Sequence, residues 1–499
     1  MLRKIDLGGG YLYKQLNKDV KEINKVFLSL FSVGIILIAI FVGINLTKSS
    51  YALFSDKVVS TNTIGVEVDT CNLYVPNEPI LDNSMIPVYY DEEESVWKKA
   101  DSTNQDRKYK WYDYCEKKWA NSVTVTETNR ETYLNAALGT EIKTEDILTM
   151  QVWIPRYKYK VWNYNSDGTV TSEPQEIEIV FEEGTASTGD ITCRDTISGT
   201  NGAKSESCKI NNVECTDSTC NNKYYTHPAF TFGTEELEGF WIGKFELTGT
   251  IDNITTKPNI SSLRSQTVSS FETNIMAMND ESNIYGFSSS ADTHMIKNME
   301  WGAISYLSHS RYGICSDGVC YKIYRNNNSN YLTGCGSSAG SSETTTCNTY
   351  NTEEGMLAST TGNIYGIYDM NGGANDYVMG NVVSPDGEQM MSGYSATNNS
   401  GYTGIIYAGG NYTSYTGTYS YPNSKYYDKY SYGTSFSQII RSKLGDSIKE
   451  VKSDSLLWYN GNYYMAHNLY PWFVRGMFTQ GNGGGGRGPS HSTHLIIIS

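Results

Sequence analysis

An uncharged, mostly apolar run of 21 residues, 26–46, constrains this chain more than any other feature. At ~1.5 Å per residue in a helix, the run is long enough to cross a bilayer core of ~30 Å. Six basic and three acidic side chains precede it, whereas Lys48 is nearly alone after it. The positive-inside rule therefore predicts a cytoplasmic basic segment (1–25), a transmembrane helix (26–46) and an exported remainder.

A cleaved signal peptide is the alternative interpretation of the same run. Ser50-Tyr51-Ala52 has the small-x-small pattern of a cleavage site, and cleavage there would release a secreted protein. The apolar run is longer than the ~7–15 residues usual for a signal-peptide core, which favours the uncleaved anchor. We therefore expect a single-pass protein of the cell membrane with an extracellular C-terminal domain.

The cysteines agree with export, because all ten lie after residue 70 and their number is even. An Asp317-Gly318 turn would place Cys315 and Cys320 opposite each other in a hairpin, within disulfide reach. Zinc binding is disfavoured because no C-x-x-C occurs and the six histidines are scattered. Cys215 and Cys220 repeat the hairpin spacing. Proximity alone suggests the remaining pairs, which are Cys193 with Cys208, Cys335 with Cys347, and Cys71 with Cys115.

Composition bounds the class of partner. The formal net charge of -15 and the pI near 5.0 argue against nucleic acid, because a phosphate-binding surface requires clustered Lys and Arg. The chain has 40 tyrosines, and Tyr with Asn, Ser and Gly is typical of adaptable binding surfaces. The alternative is that exported bacterial-type proteins are simply rich in Tyr and Asn.

Strand patterns predict how the exported region is divided. They predict a small β-rich stalk region at 47–148 and the main domain at 149–499. Within the main domain, residues 151–159 and 239–248 predict strands. The domain is therefore expected to be built on a sheet.

Two segments have apolar residues at helical spacing. The first predicts a helix over 293–312, with Asp292 or Thr293 as N-cap and Gly313 as its stop. The second predicts a helix over 435–451 that is broken at Gly445.

Three motifs carry a resemblance to a known family. Residues 239–248 read GFWIGKFELT, residues 362–373 read GNIYGIYDMNGG, and residues 472–476 read WFVRG. They resemble the motifs of the formylglycine-generating-enzyme (sulfatase-modifying-factor) branch of the C-type-lectin fold. The resemblance implies an α+β domain with a small twisted antiparallel sheet, two main helices and long loops. A fold of this kind does not by itself name a reaction.

The chain lacks the groups that enzymes of this family use. Formylglycine-generating enzymes bind copper with two cysteines after the W-x-RGG strand, and no cysteine follows Cys347. Their ergothioneine-type relatives bind iron with three histidines, and no H-x-x-x-H pair occurs. Asn375-Asp376-Tyr377 also replaces the family's WEW. We therefore expect no catalysis of the family's known kind and no resident cofactor. Calcium is compatible with the fold, but no D-x-D-x-D-G loop specifies a metal site.

A more specific resemblance is to the exported lectin-fold variable proteins that diversity-generating retroelements target. In those proteins the residues after W-x-RGG form the ligand surface. The resemblance implies a ligand-binding surface here, with these residues: Trp472, Arg475, Phe478, Gln480, Asn482, Arg487, His491 and His494.

The end of the chain departs from the family pattern. Met477 replaces the second glycine of RGG, and Leu-Ile-Ile-Ile-Ser at 495–499 replaces a GFR- or SFR-type strand. The β-branched residues at 495–498 predict a final strand. The alternative is a reading-frame change in the tail, which would impair the binding face.

The leading hypothesis is a membrane-anchored, outward-facing ligand-binding protein of the adhesin or receptor kind. Its partner would be an unidentified cell-surface or host ligand, either protein or glycan. The alternative is an enzyme-derived domain with a different activity, or a purely structural surface protein.

Overall fold

The computed structural model shows a mixed α+β chain that is mostly sheet with few helices. It describes residues 74–103, 106, 109–160, 176–187, 224–321, 323–337, 344–383, 423–431, 445, 472–476 and 491–499, together with short strands at 198–199, 209–210, 213–214 and 442–443.

The strands are numbered here in chain order. They are β1 (Ile86–Asp91), β2 (Val96–Lys99), β3 (Asn121–Val125), β4 (Ile147–Pro155), β5 (Tyr157–Lys160), β6 (Ile179–Phe181), β7 (Ser198–Gly199), β8 (Lys209–Ile210), β9 (Val213–Glu214), β10 (Tyr224–Thr226), β11 (Thr231–Phe232), β12 (Glu235–Glu236), β13 (Gly239–Gly243), β14 (Thr248–Thr250), β15 (Asn253–Thr255), β16 (Asp292–Met295), β17 (Cys315–Ser316), β18 (Val319–Cys320), β19 (Asn375–Val383), β20 (Asp428–Ser431), β21 (Ser442–Lys443), β22 (Trp472–Arg475), β23 (His491–Ser492) and β24 (Leu495–Ile498). The α-helices are α1 (Glu127–Leu134), α2 (Val268–Met276), α3 (Asn298–Ser308) and α4 (Glu353–Met356). Single turns of 3-10 helix lie at Tyr114–Glu116, Pro228–Phe230, Ala277–Asn279 and Ser424–Tyr426.

A seven-stranded antiparallel sheet holds the core, in the order β16-β24-β13-β4-β3-β1-β2. β4 reads ILTMQVWIP and β24 reads LIII, and nearly every one of these side chains is buried. Continuous apolar runs of this length are typical of strands that are covered on both faces. Neighbouring residues of β1 illustrate this, since Val88 packs in one hydrophobic cluster and Tyr89 in another. The strand predicted at 495–498 is confirmed. The segment predicted at 151–159 forms two strands, β4 and β5, which separate at Arg156 and belong to different sheets. The segment predicted at 239–248 is a strand only at Gly239–Gly243, and Thr248 begins β14.

The main sheet continues across the boundary that we predicted between the stalk region and the main domain. β3 comes from the predicted stalk, yet it pairs with β4 from Asn121 opposite Val152 to Val125 opposite Ile147. Residues 69–499 fall within one compact unit. We therefore place no domain boundary at 148/149.

The first predicted helix is present as α3 but is shorter than the helical pattern. Asp292 and Thr293, the expected N-caps, lie in β16 and pair with Ile498 and Ile497. The helix is capped at Lys297 instead, whose backbone N–H donates to the Glu300 side chain over 2.7 Å. It ends at Ser308, before the predicted stop. Pairing with β24 takes the residues that would otherwise extend the helix.

The second predicted helix, 435–451, lies mostly outside the described residues. Ser442–Lys443 within it forms β21, which pairs with β7. The prediction is therefore wrong at these two residues.

No helix in the described part of the chain is long and apolar enough to span a bilayer. The predicted transmembrane run, 26–46, lies outside the described residues and stays a prediction.

Two of the predicted disulfides are confirmed. Cys315 and Cys320 lie opposite each other in the β17–β18 hairpin and are bonded. The turn residues Asp317 and Gly318 both have positive φ, as a tight hairpin turn requires. Cys335 and Cys347 are also bonded. Cys115 is disulfide-bonded to a partner outside the described residues. Cys71, Cys193, Cys208, Cys215 and Cys220 lie outside them too, so these pairings stay predictions.

Candidate functional site

The C-terminal motif residues lie on a four-stranded sheet built around β19. β22 pairs antiparallel with β19, which places Arg475 opposite Asp376. β23 pairs parallel with the same strand, which places Ser492 opposite Asp376 as well. The described residues on either side of segment 477–490, Arg475 and Ser492, therefore both lie beside Asp376 of β19.

Arg475 connects β22 to the start of α3. Its side chain is 1 % exposed, and its Nε and Nη2 donate to Asn298 Oδ1 over 2.9 and 2.6 Å. The guanidinium also lies over the Trp301 ring, 5.4 Å from the centroid. Trp472, at the other end of β22, is buried with its ring edge-on to Tyr427.

The two C-terminal histidines are buried beside the same strand. His491 stacks on Tyr377 with 4.6 Å between ring centroids. His494 Nε2 lies 3.2 Å from the Tyr368 carbonyl oxygen, and its Nδ1 lies 3.4 Å from Asp376 Oδ1.

Among the predicted ligand-binding residues, Trp472, Arg475, His491 and His494 are thus inside the protein. We treat these four as the framework that supports a surface rather than as contact residues. The others, Phe478, Gln480, Asn482 and Arg487, lie outside the described residues, and their role stays a prediction.

The glycines of the motifs are required by close approach of the backbone to this framework. Gly373 has a φ of +74°, and a β-carbon there would lie 2.6 Å from Glu246 Oε1. Gly476 has a φ of +64°, and a β-carbon there would lie 3.1 Å from Asp376 Oδ2. The Gly372 N–H donates to the Gly476 carbonyl over 2.9 Å, which joins the two motifs directly. L-residues with side chains rarely adopt such φ values.

Three buried carboxyl groups, Glu246, Asp369 and Asp376, lie close to one another, and Asp369 and Asp376 also act on His494. Burial raises the pKa of each carboxyl because the charged form loses its hydration. The pKa of Asp369 rises to about 6 although Asn326 Nδ2 (2.7 Å) and the Gly334 N–H (2.9 Å) donate to it. Burial is the largest influence on His494 and lowers its pKa, but the charges of Asp376 and Asp369, with the contacts to Asp376 and the Tyr368 carbonyl, together outweigh burial and raise the pKa. Within the described ranges, no group of three or more His, Cys, Asp or Glu side chains has the arrangement to hold a metal ion.

Asp369 is expected to make stability depend on pH. Folding raises the pKa of Asp369 from 3.8 to about 6, so the stability from its protonated form is fully present below about pH 4. That contribution is lost as the pH rises through about 6. Denaturant unfolding at about pH 4 and about pH 7 gives the free energy of unfolding of the native protein and of Asp369→Asn. We expect the native-minus-variant difference to be about 1–3 kcal/mol smaller at the higher pH.

Asn is a close substitute at position 369, because it keeps an acceptor oxygen and tolerates the φ of +66°. Asp252→Asn is the matched control, since residue 252 is exposed. A native-minus-variant difference that is the same at both pH values would contradict the assignment.

Asn298 and Glu246 were not among the predicted site residues. Asn298 is 177 residues from Arg475 in sequence, so no local pattern could pair them. Glu246 was quoted within a strand motif, and its contact with Gly373 is visible only in the fold. No protein-family model matches the chain, and no curated protein matches it at a significant level.

Proposed function

We propose that this chain is a membrane-anchored, outward-facing binding protein whose ligand surface is segment 477–490. The observation that carries the proposal is that the described residues before and after this segment, Arg475 and Ser492, both pair with Asp376 of β19. Loops held at both ends by a rigid scaffold are where binding function concentrates.

The buried contacts of Arg475 and His491, which flank the segment, support a rigid base for it. Arg475 is bonded to Asn298 on one side of the segment, and His491 is stacked on Tyr377 on the other. The segment itself reads MFTQGNGGGGRGPS, which combines Phe, Gln, Asn and Arg with glycines. An aromatic anchor among hydrogen-bonding side chains is a composition that suits recognition.

The proposal includes a C-type-lectin-like fold for the domain and the predicted anchor at 26–46. The positive φ at Gly372, Gly373 and Gly476 supports the fold, because it explains why the resembling motifs carry glycine there. The partner would be a cell-surface or host ligand, protein or glycan, and the net charge of -15 speaks against nucleic acid.

Substitutions are expected to separate the surface from its framework. The full-length protein in lipid nanodiscs is screened against a glycan panel and against cell-surface proteins, and variants are compared on the ligand found. We expect at least one of Phe478→Ala, Gln480→Ala, Asn482→Ala and Arg487→Ala to weaken binding about tenfold or more, with nearly unchanged melting.

Trp472→Ala should instead lower the free energy of unfolding by about 3–5 kcal/mol, because the indole is buried. Val319→Ala is the surface control, since Val319 is 62 % exposed on a separate hairpin. Binding that survives all four surface changes would move the recognition surface elsewhere. The next candidate would be segment 383–435, because it is dominated by Asn, Ser, Thr, Gly and Tyr. A screen that finds no ligand of either class would contradict the binding function itself.

A further inference from the structure

A cleft of about 640 Å³ opens beside the end of β1, far in sequence from segment 477–490. Its walls come from β1 and the turn after it, from the loop 110–118 and from the loop 362–365. Tyr89, Tyr90 and Tyr365 give it aromatic walls, and Lys118 contributes an amine. The volume lies within the ~300–1,000 Å³ that is usual for small-molecule sites.

The loop 362–365 is held in place by a buried lysine. Lys244 is fully buried and donates to the carbonyl oxygens of Ile364 (2.7 Å) and Gly366 (2.8 Å) and to Asn121 Oδ1 (2.8 Å). Three acceptors therefore surround this Nζ and hold it in place. The cleft wall that carries Tyr365 is fixed by the core and does not depend on a ligand for its shape.

Lys118 differs from the lysines near it, because its Nζ has no hydrogen-bond or ion-pair partner in the described part of the chain. The neighbouring lysines all have partners, which are Asp91 and Glu94 for Lys98, the Leu134 and Ala136 carbonyls for Lys99, Asp113 for Lys110, and the Cys315 carbonyl with Ser316 Oγ for Lys117. Lys118 Nζ instead lies 5.8 Å from the Tyr89 ring centroid and 5.1 Å from that of Tyr365.

The surroundings of Lys118 favour a neutral amine more than an ordinary surface does. Burial lowers the pKa of Lys118 to about 8. The charges of Asp113 and Glu92 oppose this shift and that of Lys110 adds to it. Asp113 is already engaged by Lys110 and by the N–H groups of Cys115 and Glu116. The other charged groups that line the cleft are Asp91, Glu93 and Glu116.

We propose that Lys118 is a reactive amine that captures an uncharged aldehyde in this cleft as a reversible imine. The neutral Nζ attacks the carbonyl carbon and forms a carbinolamine. In this step one proton of the nitrogen moves to the carbonyl oxygen. The carbinolamine hydroxyl then takes up a proton from solvent and leaves as water, the carbon–nitrogen double bond forms, and the remaining nitrogen proton returns to solvent. Amine and aldehyde thus give imine and water, with no oxidant or reductant.

The walls of the cleft define the ligand class. Tyrosine rings favour an aromatic or otherwise flat aldehyde, because such groups stack on them. Five carboxylates and two lysines line the cleft, and this excess of negative charge disfavours an anionic ligand by like-charge repulsion. An uncharged aryl aldehyde is the simplest probe that satisfies both conditions.

The test uses the full-length protein in detergent with benzaldehyde, cyanoborohydride to reduce the imine, and peptide mass mapping. We expect Lys118 to be labelled about tenfold or more faster than Lys110 at neutral pH, because burial lowers the pKa of Lys118 whereas Lys110 is held in an ion pair with Asp113. Its labelling rate should rise with a midpoint near pH 8. 4-Carboxybenzaldehyde, the anionic counterpart, should label Lys118 more slowly than benzaldehyde.

Two matched variants complete the test. Lys118→Arg keeps a cation over the two rings but cannot form an imine, so labelling of that peptide should vanish without a change in melting temperature. Lys110→Arg makes the same change at a paired lysine and should leave Lys118 labelling intact. The pH profile of the native protein decides the matter even if Lys118→Arg does not fold. Labelling of Lys118 no faster than that of Lys110, or a midpoint near the 10.5 of an ordinary lysine, would overturn the proposal.

Discussion

Arg156→Met is expected to lower the free energy of unfolding by about 3–5 kcal/mol, because it removes one partner of a buried ion pair. Arg156 is fully buried at the junction of β4 and β5, and its Nε donates to Glu182 Oε2 over 3.0 Å. Its Nη2 donates to Glu236 Oε2 over 2.9 Å, and its Nη1 donates to the carbonyl oxygens of Phe230 and Leu237. Met fills a similar volume, so the loss reflects the polar partners and not a cavity.

Equilibrium denaturation measures this loss, and a double-mutant cycle assigns it. Glu182→Gln in the Arg156→Met background should recover part of the stability, because it removes the buried charge that the first change leaves behind. Arg311→Met is the matched control, since Arg311 is exposed and the same change there should cost less than about 1 kcal/mol. A loss below about 1 kcal/mol for Arg156→Met would mean that the guanidinium contributes little net stability.

The contrast between β4 and Arg156 shows which parts of the fold a sequence pattern can predict. The strand around Arg156 is predicted by its run of apolar residues, and the Cys315–Cys320 hairpin by its Asp-Gly turn, because both signals are local. The ion pair joins residues 26 positions apart in sequence, and most of the chain between them offers no pattern that would bring them together. Local chemistry predicts elements, whereas the partners of buried charges follow from how the elements pack.

The helices also show that local sequence patterns predict elements only in part. α2 had a usable signal that was not recognised, since Val268, Phe271 and Ile275 are buried at helical spacing and Thr267 caps the helix by accepting from the Ser270 N–H. α1 had almost none, because Tyr133 is its only buried residue. For α3 the helical pattern ran too far toward the N-terminus. Thr293 and its neighbours pair with β24, a strand about 200 residues later in the chain.

At the candidate site, the sequence motifs indicate which strands carry the site residues but not whether each side chain is buried or exposed. The glycines at 372, 373 and 476 all have positive φ and close neighbours, which gives a physical reason for glycine at each position. The resemblance predicts Trp472, Arg475, His491 and His494 as ligand contacts, because they lie within the motif or after it. A one-dimensional motif does not distinguish a residue that faces the ligand from one that supports it, because both types lie on the same short strand.

Removal of residues 495–499 is expected to leave the protein unable to fold. Leu495–Ile498 forms β24, which pairs with β16 on one side and with β13 on the other, so its loss would cut the seven-stranded sheet near one end. Four buried aliphatic side chains would be lost with it. At ~1.5–3 kcal/mol for each buried side chain, the loss approaches the ~5–15 kcal/mol by which a whole domain is stable.

The truncated chain should be recovered aggregated or without a cooperative melt in near-ultraviolet circular dichroism. Removal of Ser499 alone is the control and should change nothing measurable, because that residue is exposed and outside the strand.

Ile497→Ala is the graded test. Ile497 lies between Trp241 and Thr293 and is fully buried, so this change should cost about 2–5 kcal/mol. A truncated chain that melts cooperatively within a few degrees of the native protein would contradict the role of β24. If the loss is observed, residues 495–498 are an integral strand of the sheet. That result would favour a native tail over a frame change, because a shifted frame would yield four residues that complete the sheet only by chance.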